Sequence, residues 1–368
     1  MAAAPRATAD ASRAARPSSS SRKARPRTST TASPADAERN SQPPSRPANR
    51  PASQTAAQRR RHSKGSEKMS ETIAFIGLGA MGLPMASNLV RKNFPVIGFD
   101  LDQDKLGKLV ALGARPASDV TAAVRDATVV ITMLPAPPQV REVILGGEGV
   151  LAGLRPGALV IDMSTVDPQT TDTVAAACLE KGVAFVDAPV GRLVSHAERG
   201  ESLFMVGASD EGFARAEPML KAMGTTVHRC GPEGAGTRMK IVNNYLAVIG
   251  AQLTAEAILL GTKLGLPVDV MKAVSGGTTA TNGQFQINFA TKVLKGDTAP
   301  GFTIDLAHKD LMLALTAAAQ QRLGLPVGLA AAGALGAARG GAYAQRDFSA
   351  LLDYACDIAG VTPPRLPD

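Results

Sequence analysis

Tryptophan is absent from the 368 residues, and aromatic residues make up only 4%. Any core must therefore be built from Ala, Val, Ile, Leu and Met. The three cysteines, Cys178, Cys230 and Cys356, are odd in number and scattered. That excludes a disulfide framework and zinc-type spacing, and it fits a reducing, cytoplasmic setting. The four histidines form no metal pattern, so no metal is expected. No unbroken apolar run approaches the ~18 residues that a membrane span needs, so no membrane role is expected.

The first 68 residues lack Leu, Ile, Val, Phe, Tyr and Trp altogether. Nothing there can offset the entropy cost of ordering, so residues 1–68 are expected to form a disordered basic tail. The stretch is Arg- and Ser-rich and poor in acids, as an organellar transit peptide is, but it has no apolar face for the amphipathic helix of such a peptide. Arg59-Arg60-Arg61 leaves a nucleic-acid-binding arm open. The third reading is that translation starts at Met69, just before the first strand. The tail also distorts the charge. It holds 15 of the 40 Lys and Arg and 4 of the 32 Asp and Glu, a contribution of +11 to the net +8. The other 300 residues carry 25 basic and 28 acidic side chains, net −3. A mildly acidic body offers no nucleic-acid surface.

Strand and helix patterns alternate through the first part of that body. Short apolar runs at Thr72–Ile76, Val96–Phe99, Thr128–Met133, Ala158–Asp162, Val183–Asp187, Leu203–Val206 and Thr225–His228 read as strands. Met81–Lys92, Asp104–Leu112 and Asp167–Lys181 read as helices, while Pro135, Pro137 and Pro138 read as a loop. The alternation implies a mostly parallel, doubly wound α/β sheet, a Rossmann domain, over residues 70–232. After Pro232 only helical patterns remain. Gly234–Gly265 is one long helix, with Met239, Val242, Leu246, Ile249, Leu253 and Ile258 at helical spacings. It joins the sheet to an all-α domain over 233–360, with helices at Val268–Val274, Phe285–Lys295, Ile304–Leu323, Val327–Ala338 and Phe348–Ile358.

The strongest local motif is Gly77-Leu78-Gly79-Ala80-Met81-Gly82, set between a strand and a helix. Gly77 allows the tight turn, Gly79 lets the backbone approach a pyrophosphate, and Gly82 lets helix and strand pack closely. The anion would lie at the helix N-terminus. Asp100 ends the next strand, where a carboxylate accepts from ribose hydroxyls and repels a 2′-phosphate. NAD is therefore the expected cofactor.

The stretch FIGLGAMGLPMASNL (Phe75–Leu89) closely resembles the cofactor motif of the β-hydroxyacid dehydrogenase family, to which the 3-hydroxyisobutyrate dehydrogenases belong. ITMLP (Ile131–Pro135), VIDMST (Val160–Thr165), DAPV (Asp187–Val190), GTRMKIVNNY (Gly236–Tyr245) and HKDL (His308–Leu311) follow in the family's order. The resemblance covers Ile73 to about Ala359. It implies that Leu134 and Thr165 lie near the nicotinamide, that Lys240 is the catalytic acid or base, and that Lys309 reaches the cofactor across the domain interface. Read from the residues alone, Ser164 or Thr165 could cap the helix after it, and Lys309 could pair with Asp305 or Asp310.

Most of the family reads Asp-Ala-Pro-Val-Ser-Gly-Gly at the substrate loop. Here the run is Asp187-Ala188-Pro189-Val190-Gly191-Arg192. An arginine fork suits an oxyanion, and the variant resembles the branch of the family that reduces 3-sulfolactaldehyde with NADH. Arg192 would then clamp the sulfonate, with Asn243, Asn244, Tyr245, Leu246 and Ala247 lining the pocket. That branch usually has Thr-Ser after the arginine, where Leu193-Val194 stand here. The resemblance thus implies NADH-dependent reduction of a small anionic aldehyde to a hydroxy acid. A carboxylate semialdehyde reductase is the alternative of the same class, and a non-catalytic nucleotide-binding protein the alternative of another. A helical domain rich in Ala and Gly is expected to pair with a second copy, as a homodimer or homotetramer.

Overall fold

The computed structural model describes residues 71–367. The expectations for residues 1–68, including the start at Met69, lie outside the described residues. The α/β part runs β1 (Ile73–Ile76), α1 (Gly82–Arg91), β2 (Val96–Phe99), α2 (Gln103–Val110), β3 (Arg115–Pro116), α3 (Val120–Val124), β4 (Val129–Thr132), α4 (Pro137–Leu145), α5 (Val150–Gly153), β5 (Leu159–Asp162), α6 (Pro168–Glu180), β6 (Ala184–Asp187), β7 (Val190–Gly191), α7 (Val194–Glu198), β8 (Ser202–Gly207), α8 (Asp210–Met223) and β9 (Gly224–Gly231).

The sheet order is β3-β2-β1-β4-β5-β6-β8-β7, with β9 paired to β8. Strands β1 to β6 are parallel, and β8 runs antiparallel to β6. Every residue of β1, β4 and β5 is buried, as expected of central strands covered by helices on both faces. The chain goes outward from β1 to β3 and then returns to β4 on the other side of β1. Ligands bind in the crevice that such a reversal opens at the C-terminal strand ends. The Gly77 loop and the Leu134 loop flank that crevice.

Helices fill the remainder: α9 (Ala235–Lys263), α10 (Val268–Gly276), α11 (Ile304–Gln320), α12 (Pro326–Arg339) and α13 (Leu351–Ile358). By length and composition α9 could cross a bilayer, and here one face of it packs against the other helices. Val248, Ala251, Ala255 and Ile258 join Leu311, Leu335 and Leu352 in one core.

Several local expectations are corrected. Pro137 does not break the chain into a loop; it opens α4, where its fixed φ and missing N–H are tolerated. The expected helix at Phe285–Lys295 is a π-helical turn over Gln284–Phe289 followed by a 3-10 turn over Val293–Lys295. Of the apolar positions spaced along α9, Met239, Val242, Leu246 and Leu253 are exposed. Its buried face is made instead of smaller residues such as Gly236, Ala251, Ala255 and Gly261, which let neighbouring helices approach.

Candidate active site

One cavity of ≈ 1860 Å³ runs between the C-terminal ends of the strands and the helical part. Gly77, Gly79, Ala80, Met81, Gly82, Asp100, Leu134, Thr165 and Lys309 all line it, as do Arg192, Lys240, Asn243, Asn244 and Ala247. Tyr245 and Leu246 do not. Tyr245 packs into the helical core, and Leu246 is 67% exposed. Successive residues of a helix turn by about 100°, so five consecutive positions cannot share one wall.

The glycine loop divides its labour. Gly77 has φ +96, and a Cβ there would meet Met133 O at 2.4 Å. At Gly82 a Cβ would meet Gly77 O at 2.0 Å. Around Gly79 nothing lies within 4 Å of such a Cβ. The protein itself does not require glycine at 79, and the open space fits the close approach of a pyrophosphate. Helix α1 begins with no side chain capping it, which leaves its N-terminus suited to an anion. The Asp100 carboxylate accepts from Leu78 N (2.5 Å) and Asp102 N (2.8 Å). It ties the loop to the end of β2 while facing the cavity. These residues fit a dinucleotide.

Loops after β4 and β5 are joined beneath the cavity. Ser164 Oγ donates to Asp162 Oδ1 (2.6 Å) and accepts from Leu134 N (2.9 Å). Burial pushes the Asp162 carboxyl up, opposed by hydrogen bonds from Ser164 and Thr132. Neither Ser164 nor Thr165 caps α6; Asp167 does, accepting from Thr170 N. Lys309, on α11, donates to Pro135 O (3.0 Å) and Thr165 O (3.1 Å) and pairs with Asp310 at 3.0 Å. It therefore bridges the cleft and also forms the rival ion pair.

Lys240 lies on α9, half-buried, and donates to Val190 O at 2.7 Å. Burial draws its pKa below the ordinary lysine value; Asp310 opposes this and Lys309 adds to it. Asn244 is buried and donates to Asp310 Oδ2 at 2.6 Å. Asn243 is exposed and donates to Asn244 Oδ1.

Arg192 lines the cavity with its guanidinium held by the protein. Its guanidinium is exposed and donates to Glu201 O (2.6 Å), Thr225 Oγ1 (3.0 Å) and Thr226 Oγ1 (3.1 Å). The fork is thus occupied by neutral acceptors, and among the described residues no carboxylate bonds it. Glu201, whose carboxyl Arg199 chiefly holds below the usual range, lies near enough for Arg192 to help. Its φ is +72, a left-handed conformation that favours glycine, in line with the glycine most of the family has there.

Sequence reasoning missed further parts of the wall. Asp347, fully buried, accepts from Gly301 N and Phe302 N and shapes the loop that brings Phe302 into the cavity. Gln284 and Asn288 enter from the π-helical turn, and Gln284 Nε2 donates to Ala247 O (3.0 Å). None of the family motifs covers Gln284, Asn288 or Asp347. Among the described residues no cluster of His, Cys, Asp or Glu could hold a metal ion.

Comparison with known proteins agrees with this geometry. Residues 72–231 match the NAD binding domain of 6-phosphogluconate dehydrogenase, and 234–355 match the NAD-binding region of NADP-dependent 3-hydroxyisobutyrate dehydrogenase. The chain is 43% identical over 290 residues to the 3-sulfolactaldehyde reductase of Escherichia coli K12, covering 79% of this chain and 97% of that one. It is 36% identical to the 2-(hydroxymethyl)glutarate dehydrogenase of Eubacterium barkeri, over 79% of this chain and 96% of the relative. A solved Mycobacterium tuberculosis 3-hydroxyisobutyrate dehydrogenase with L-serine superposes with a TM-score of 0.72 at 35% identity, covering 78% of this chain and 99% of that one. The glycine loop, the α9 lysine and these matches together make the chain a member of the 3-hydroxyisobutyrate dehydrogenase-like family of β-hydroxyacid dehydrogenases, oxidoreductases that use a nicotinamide dinucleotide and act on hydroxyl groups.

Proposed function

We propose that this protein reduces a small aldehyde carrying an acid group, with NADH as reductant and 3-sulfolactaldehyde as the leading substrate, giving 2,3-dihydroxypropane-1-sulfonate. The observation that carries the reading is Lys240: a partly desolvated ammonium held in the cavity by Val190 O, in the same short segment that bears Arg192. The nicotinamide, when bound, supplies or takes up a hydride. Lys240 gives its proton to the carbonyl oxygen as negative charge develops there, and in the reverse direction the neutral amine takes the hydroxyl proton. The overall change is aldehyde, NADH and a proton to alcohol and NAD.

The loop 190–193 holds the acid end. Arg192 contributes positive charge beside it, and its guanidinium exchanges its neutral partners for the oxyanion when substrate enters. Asn243 and Ala247 line the substrate side, while Asn244 orients Asp310 against the two lysines. Asp100 favours NADH over NADPH through the ribose hydroxyls. The exposed Met239, Val242, Leu246 and Leu253 on α9 support a homodimer or homotetramer. The reading includes a cytoplasmic setting and two domains that meet at 232–233.

A carboxylate semialdehyde as substrate is favoured by one observation: Leu193 and Val194 stand where the sulfonate-reducing branch has two hydroxyl donors. Steady-state kinetics on 3-sulfolactaldehyde, tartronate semialdehyde, succinic semialdehyde and methylmalonate semialdehyde decides between them. The proposal requires the largest kcat/KM on the sulfonate. A carboxylate preference would transfer the assignment to the second reading, and no turnover of any would end both.

A further inference from the structure

Asp187 ends β6 and opens the DAPV segment, yet the chemistry above gives it no part. Its side chain is buried, 47 and 50 positions away from the two groups it binds. Oδ1 accepts from Gly234 N and Oδ2 from Thr237 N, both at 2.6 Å. These N–H groups belong to the start of α9, whose own cap position is Gly234, with φ +85 and no capping side chain. A helix leaves its first four N–H groups without internal partners, and a carboxylate there is favoured by hydrogen bonding and by the helix dipole. A 29-residue helix thus receives its cap from a distant strand. The fit is close: a Cβ on Gly207 would lie 2.3 Å from Asp187 Oδ1, and one on Gly236 would lie 2.7 Å from Asp187 O.

The same segment grips α9 twice. Three residues after Asp187, Val190 O accepts from Lys240 Nζ, and three residues after Thr237 along the helix comes Lys240 itself. The backbone between the two grips passes through Pro189, which is rigid in φ. We propose that Asp187 is the positioning residue for Lys240: by fixing the first turn of α9 to the DAPV segment, it sets where the lysine ammonium stands relative to the substrate loop. This rests on the reading of Lys240 as the proton donor.

The test uses Asp187→Asn in the full chain. An amide offers one acceptor and turns an N–H₂ toward the second backbone N–H, so one grip is lost. NADH-binding sites are counted by nicotinamide fluorescence, and kcat is expressed per NADH site on the best substrate of the aldehyde panel. A purely structural cap would lower the number of sites and leave kcat per site unchanged. A positioning role predicts an unchanged NADH affinity and a kcat per site lower by ~10–100-fold, the scale on which a misplacement of about 1 Å acts.

A second readout needs no turnover. Competitive acetylation of lysines, followed by mass spectrometry across pH, reports the titration of Lys240, which is faced by Asp310 and Lys309. In Asp187→Asn its midpoint moves up toward that of an ordinary lysine as the ammonium leaves its buried contact. Asp172→Asn is the control. It breaks the exposed Asp172–Arg238 pair on the same turn of α9 and should leave both readouts unchanged. Should Asp187→Asn fail to fold, Asp187→Ser, smaller than the native side chain and able to accept from only one of the two N–H groups, is expected to act alike. Unchanged kcat per site together with an unchanged Lys240 titration overturns the proposal. Full turnover by Lys240→Ala would instead overturn the reading beneath it.

Discussion

Asn244 and Asp310, 66 positions apart, are joined by a 2.6 Å hydrogen bond from Nδ2 to Oδ2. Asp310 Oδ1 stands 3.0 Å from Lys309 Nζ, and the carboxylate also holds the Lys240 pKa up against the pull of burial. One buried acid therefore links the helix bearing Lys240 to the lysine that bridges the cleft.

A pH prediction follows from the sign of that coupling. Reduction uses the ammonium form of Lys240, so kcat is full at low pH and is lost as pH rises through the lowered pKa. Oxidation of the alcohol uses the neutral amine and rises through the same range. Asp310→Asn removes the group that holds the pKa up, so the descending limb of the reduction profile moves to lower pH. A limb that stays in place would show that Asp310 does not face the working lysine.

The three glycines of the cofactor loop are predicted to separate. Gly77→Ala and Gly82→Ala drive a Cβ into backbone oxygen, at φ +96 in the first case, and should each cost roughly 1–3 kcal/mol of stability or more. Gly79→Ala has open space and should melt as the wild type does while NADH binding weakens. Melting curves and NADH titrations of the three variants check this; a destabilised Gly79→Ala would contradict it.

Arg192→Gly removes a left-handed non-glycine residue, a strain of about 1–3 kcal/mol, and adds unfolded-state entropy of about 0.4–1 kcal/mol. The exposed hydrogen bonds lost are of similar size, so Tm should change by only a few degrees. KM for a sulfonated aldehyde should rise about 10–100-fold, the scale of a lost charged hydrogen bond of about 1.5–3 kcal/mol, with NADH affinity unchanged. An unchanged KM would remove Arg192 from substrate binding.

Asp100→Asn should lower the preference for NADH over NADPH by about 10–100-fold, for the same energetic reason. The ratio of kcat/KM for the two cofactors measures it. A preference for NADPH in the unaltered protein would overturn the role given to Asp100.

Strand periodicity, the glycine motif and the break after Pro232 were legible because each is a local pattern. The glycine loop and Asp100 followed from them; Leu134, Thr165 and Lys309 came from the family resemblance, and all of these line the cavity. Which face of α9 is buried was not legible: helical spacing marks Leu246 and Leu253 as apolar, but only the packing partners decide that small residues such as Ala251 face inward. Helix α8 escaped notice, with Pro218 lying inside it. Tyr245 and Leu246 were placed in the pocket by continuing a motif along consecutive residues, which a helix does not allow. Arg192 and Thr225 are 33 positions apart, Asp187 and Gly234 47, and Asn244 and Asp310 66, beyond any local pattern. The Asp187 cap has no sequence signature, because the residue at the helix start is a glycine.

The most direct test of the central claim is the kcat of Lys240→Ala on the preferred aldehyde, measured beside its NADH affinity. Loss of the proton donor from a correctly folded site should lower turnover by ~10²–10⁴-fold while NADH binds as in the unaltered protein. Turnover within a few-fold of the unaltered protein would contradict it.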